Sequence, residues 1–84
     1  MGTKNNPGNY DCYAKALPDE PLFTLLGRDP DFHRLVNEWA GKRMADIMCG
    51  ERPDSDKVMV AEARYCAIAG EKWRKNNMGI WRKV

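Results

Sequence analysis

The sequence predicts an all-α fold: a long antiparallel helical hairpin, about 30–49 and 55–76, braced by a short N-terminal helix, about 19–27. Three observations predict it. Apolar residues recur at three and four spacings through two long stretches. Each stretch is bounded by residues that start and stop helices, with Asp or Ser before it and glycine or proline after it. No segment alternates apolar and polar residues as a half-buried strand does.

Residues 1–9, "MGTKNNPGN", read as a flexible polar leader to a single helical domain spanning 10–76. In "LPDEPLFTLLG", Asp19 offers an N-cap, Glu20 falls in the first turn, and Gly27 suits a left-handed stop. Pro21 fits only because it lies in that first turn. Leu22, Leu25 and Leu26 share a face, with Phe23 beside them.

The second helix starts at "RDPDF", where Asp29 caps and Pro30 takes the first helical position. Its stripe is Phe32, Leu35, Val36, Trp39, Ala40, Met44, Ile47 and Met48, and it stops at Cys49-Gly50 ahead of Pro53. Asp54 or Ser55 caps the third helix, whose main stripe is Val58, Met59, Tyr65, Cys66, Ala69 and Trp73. Glu38–Lys42 and Glu71–Lys75 stand at i,i+4 in the favourable order. The back of this helix is also partly apolar, through Val60, Ala61, Ala67 and Ile68. A helix apolar on two sides is normally sandwiched. The segment around Leu22, Phe23 and Leu26 is the expected cover, as a strap across that back face, or else a second copy. Residues 77–84 form a basic tail containing Trp81.

A chain of 84 residues has a marginal core of its own. Surplus apolar surface therefore points to a homo-oligomer, with a homodimer the simplest closed form. Nothing approaches a membrane span, and the polar N-terminus lacks the apolar core of a secretory signal, so a cytoplasmic location is expected. Asn6 stands where a myristoylation signal wants Ser or Thr.

Enzyme chemistry finds little support. There is no glycine-rich phosphate loop, nucleophile elbow or zinc-protease motif, and no cofactor is implied. Cys12, Cys49 and Cys66 with His33 lie too far apart for the close ligand pairs of a structural zinc site. Cys12 lacks a base fixed beside it, and Tyr10 and Tyr13 read as anchors for the strap. The acidic pairs Asp19/Glu20 and Asp54/Asp56 stand at helix starts, where the helix dipole explains them.

Two charges do call for an explanation. Arg43 projects onto the second helix's apolar stripe, and Glu62 onto the third's. An unpaired buried charge is costly. The two are expected to form a structural ion pair, in a register that sets Ile47 near Val58, Trp39 near Cys66 and Phe32 near Trp73. Otherwise Arg43, Trp39, Tyr65 and Arg64 line a ligand or partner site, with aromatic faces and arginines suited to a small nucleotide. The basic end offers a different reading: Lys72, Arg74, Lys75, Trp81, Arg82 and Lys83 form a candidate nucleic-acid surface, the lesser of the two.

The block "YDCYAKALPDEPLFTLLGRDP", with the later "VAEARYCAIAGEKW", resembles small uncharacterised proteins encoded by bacteriophages and prophages. The resemblance spans most of residues 10–73, and its P-D-E-P-x-F-x-L-L-x-R-D-P block is the most specific part. It implies a phage protein in the host cytoplasm and no established activity or site residues. Small proteins of this kind commonly act by binding host machinery. The expected function is thus non-enzymatic counter-defence or host takeover, by occluding a host protein or sequestering a small nucleotide signal. A nucleic-acid-binding accessory protein is the alternative.

Overall fold

A computed structural model describes residues 1–83; Val84, the end of the basic tail, lies outside the described residues. Its helices are α1 (Cys12–Lys15), α2 (Phe32–Met48), α3 (Lys57–Asn76) and α4 (Met78–Trp81), with a 3-10 turn at Asp54–Asp56 leading into α3. The long pair α2 and α3 packs together and carries the tertiary structure.

The boundaries of α2 follow from local chemistry. The helix begins at Phe32, two residues after the expected start at Pro30, with Asp31 at the N-cap and no side-chain capping bond. Asp29 Oδ1 instead accepts the Asp31 N–H at 2.8 Å in the turn that leads in. At the other end, Gly50 adopts φ +81°. The Gly50 N–H then reaches the Ile47 carbonyl at 3.1 Å and the Glu51 N–H reaches Asp46 at 2.9 Å. This is the paired closure that a left-handed glycine permits. On α2's flank, Glu38 pairs with Arg34 at 3.1 Å and Lys42 with Asp46 at 2.9 Å. The expected Glu38–Lys42 pair gives way to these two. Glu71 and Lys75 do pair, at 2.8 Å.

Phe32 and His33, at the start of α2, meet Gly70 and Glu71 late in α3. Ile47, at the end of α2, clusters with Ala40, Val60 and Ala63. The face of α3 that is buried is therefore Val60, Ala63 and Ala67, continued by Gly70, and not the stripe of largest residues. Val58, Tyr65 and Trp73 point to solvent. The reason is packing. Ala40, Ala63 and Ala67 have no exposed surface at all, and small side chains let two helices approach closely and gain contacts along their whole length. The pairing of Phe32 with Gly70 in place of Trp73 follows from the same choice of face.

The expected helix at 19–27 is absent; residues 20–26 have no regular secondary structure. Pro18 and Pro21 disfavour the helical region for the residues before them, Leu17 and Glu20. The Glu20 carboxylate is used locally, accepting the Leu17 N–H at 3.0 Å while the Glu20 N–H bonds the Leu17 carbonyl at 3.1 Å. A nine-residue segment holding Phe and Thr has too little propensity to overcome this without packing. Gly27 is not a left-handed stop either, since the positive-φ residue is Gly50. Its role is close approach: a Cβ at Gly27 would stand 3.3 Å from the Gly70 Cα. The strap thus crosses α3 through glycine, and Phe23, at 87 % exposure, stands off the surface with Leu22 and Leu26 also exposed. Tyr13 is exposed as well, while Tyr10 is half-buried beneath Lys15.

The leader lies against α3. Met1 packs on the core cluster, its ammonium lies 3.6 Å from Glu62 Oε1, and the Asn9 N–H donates to the same oxygen at 3.0 Å.

Candidate functional site

Glu62 and Arg43 are both half-buried, one on each long helix, but they are not partners. Glu62 is held by the leader, and its other oxygen, Oε2, is buried without a hydrogen bond. Arg43 lays its guanidinium 5.2 Å from the Trp39 ring one turn back on α2, and its Nε is buried and unbonded. The expected Arg43–Glu62 ion pair is not formed among the described residues; the leader and the Trp39 ring take the two charges instead.

The four residues expected to converge on a ligand divide. Trp39 and Arg43 form a cation–π pair, an attraction between cation and ring face. Tyr65 and Arg64 are exposed on α3 and point about 100° apart around the helix axis. Two shallow surface depressions exist, one lined by Ile68, Glu71, Lys72 and Lys75, the other by Cys12, Lys15, Ala16, Glu20, Pro21 and Leu22. Neither holds any of the four.

The basic end is more ordered than a free tail. Trp81 folds back, its indole N–H donating to the Arg74 carbonyl at 2.8 Å. Asn77 donates to the Trp73 carbonyl at 2.8 Å. Both bonds satisfy carbonyls that the end of α3 would leave open. Arg82 stacks at 5.5 Å from the Trp81 ring, so the indole face is already occupied. Lys72 and Lys83 remain exposed, while Lys75 is tied to Glu71. The ammonium of Lys75, by hydrogen bond and charge, holds the Glu71 carboxyl below its ordinary range, with His33 a smaller contributor at 3.6 Å.

The three thiols are free, and burial raises that of Cys66 above the ordinary value. Among the described residues no cluster of three His, Cys, Asp or Glu side chains suits a metal, and no helix is long and apolar enough to cross a membrane.

The feature sequence reading misplaced is the outer face of α3. Val58, Tyr65, Ile68 and Trp73 stand there together with exposures of 62, 75, 61 and 44 %. The sequence carries both apolar faces of α3, and the one that packs is the one with the smaller side chains. No family model matches the chain, and no curated protein or solved structure does.

Proposed function

We propose that the chain is a non-enzymatic binding protein of phage or prophage origin that works in the host cytoplasm, in counter-defence or host takeover, by occluding a host protein. The observation that carries the binding reading is uncovered surface. The chain exposes 6673 Å², whereas a folded 9.6 kDa monomer is expected to expose about 5100 Å². The excess, about 1600 Å², is twice the roughly 800 Å² that one partner contributes to a standard interface. Much of the exposed area is large and apolar, which is what a partner removes from water most profitably.

In this reading α2 and α3 form an antiparallel hairpin, and the outer face of α3 is the surface offered to the host protein. Tyr65 and Trp73 are its anchors, because aromatic side chains dominate interface energetics. Sequestration of a small nucleotide is the weaker mode, since Arg43 and Trp39 already engage each other away from Tyr65 and Arg64. The nucleic-acid alternative keeps its exposed cations but loses the stacking role of Trp81, which the Arg74 carbonyl and Arg82 occupy.

Immobilised protein and host lysate test the reading. The wild type should retain a discrete host protein that rebinds after purification, and Tyr65→Glu with unchanged helicity should lose it. Equal retention by Tyr65→Glu would remove the α3 face from the account. Calorimetry with cyclic and ADP-ribose-type nucleotides should give no heat. Affinity for DNA or RNA that falls steeply with salt would favour the alternative.

A further inference from the structure

Along α3, Val58, Ala61, Tyr65, Ile68, Lys72 and Lys75 stand at alternating spacings of three and four, and all six are exposed. That spacing makes a seam of the kind along which a second helix packs. At 1.5 Å per residue it runs for about 26 Å. The buried residues Val60, Ala63 and Ala67 lie on the opposite side of the helix.

The seam changes character along its length. Its first four positions are apolar or aromatic, and its last two are lysines. No acidic residue stands on it. The two that border it are engaged already: Glu62 Oε1 holds the leader, and Glu71 bonds Lys75 at 2.8 Å. Among the described residues Lys72 makes no ion pair, nor does Arg64 on the flank. A shallow depression lined by Ile68, Glu71, Lys72 and Lys75 marks the junction of the two halves.

Resting on the host-binding reading of this face, we infer that its occupant is an amphipathic helix of the host protein, antiparallel to α3. Apolar residues of that helix cover Val58 to Ile68, and carboxylates in its N-terminal turns meet Lys72 and Lys75. Charge complementarity selects the acidic end. The helix dipole selects the direction, since carboxylates are favoured at a helix N-terminus. A second copy of this chain does not fit. Antiparallel, it would set Lys72 against Ala61 and Lys75 against Val58; parallel, it would set lysine against lysine. A phosphate backbone finds no partner in the apolar half. A helix lying on a bilayer carries its cations on the polar face, not at one end of the apolar seam.

Two labelled peptides of about three heptads test this by fluorescence anisotropy against the full chain. They share apolar seam positions in the second and third heptads. In the first, one carries glutamate and the other glutamine, on the seam and beside it. The glutamate peptide should bind about tenfold more tightly at low salt, and the preference should shrink as salt rises. The double variant Lys72→Glu, Lys75→Glu should abolish the preference while moving the glutamine peptide less than about twofold. Tyr65→Glu should weaken both peptides. Far-UV circular dichroism should match across the chains, separating lost binding from lost fold. Equal affinity for the two peptides, or no binding of either up to about 1 mM, would overturn the inference. A glutamate preference unmoved by the lysine swaps would do so equally, as would RNA or anionic vesicles that bind the wild type and not Tyr65→Glu. Host protein captured by the lysine variant but not by Tyr65→Glu would sink the acidic helix and keep the α3 face. Capture indifferent to Tyr65→Glu would sink both.

Discussion

Glu62 has two carboxylate oxygens in two situations: Oε1 holds the leader, and Oε2 is buried and unbonded. Its effect on stability therefore runs through the Asn9 N–H and Met1. Glu62→Leu should cost about 1–2 kcal/mol as the leader loses its acceptor. Arg43→Met removes an unsatisfied buried Nε together with the cation–π contact to Trp39, and the two effects should nearly cancel, within about 1 kcal/mol. A urea-melt double-mutant cycle should then be additive; coupling above about 1 kcal/mol would mean that the two side chains meet in solution. Sequence identified both residues as exceptional because each charge falls on an apolar stripe. It could not identify their partners, because the leader carries no periodic signal. The thiols give a second residue-level expectation. Cys12 and Cys49 are exposed, while burial raises the Cys66 thiol, so Cys66 should alkylate slowest near neutral pH in mass-mapped labelling. Glu71 supplies the pH dependence. Its carboxyl is depressed by Lys75, so its contribution is present above the ordinary carboxylate range and lost as pH falls through its lowered value. Glu71→Gln should lower stability at neutral pH slightly, and its difference from the wild type should vanish as pH falls through that lowered value, as urea melts at a series of pH values would read.

At the scale of elements, glycines separate packing from propensity. A Cβ at Gly70 would enter the Phe32 ring, whereas nothing lies within 4 Å of one at Gly41. Gly41→Ala should thus stabilise α2 by about 0.5–1 kcal/mol. Gly70→Ala should destabilise by about 1–3 kcal/mol despite the better helix former, because a ring must move in a packed seam. Thermal melts of the two variants shifting the same way would contradict the α2–α3 seam. Phe23→Ala, a change that would be severe in a core, should alter monomer stability by less than about 1 kcal/mol, since the ring stands in solvent. The long helices were legible to within about two residues because Asp29, Gly50 and Asn77 act on their own neighbourhoods. The strap was misread because Pro18 and Pro21 deny the start of a helix that Asp19 and Gly27 suggested. The inner face of α3 was misread because burial in this pair follows closeness of approach, which favours Ala63, Ala67 and Gly70 over Tyr65 and Trp73.

For the whole molecule, extension is the governing property. Its radius of gyration is 14.1 Å, against about 12 Å for a compact domain of this length. The core residues are few and mostly small: Phe32, Ala40, Ile47, Val60, Ala63 and Ala67. Such a core stabilises modestly, and the large apolar residues that would enlarge it lie outside, on the strap and on α3. This division was only half legible, since the sequence showed more apolar surface than one copy covers but not which part stays outside. The central claim is that the outer face of α3 is a protein-binding surface. It is tested most directly by replacing Tyr65 with a photo-cross-linking phenylalanine analogue and irradiating the chain in host lysate. The account predicts one saturable cross-linked host protein, abolished by Ile68→Glu on the same face and retained by Arg28→Glu on the strap. Cross-links only to a second copy of the chain, only to nucleic acid, or spread over many proteins without saturation would contradict it.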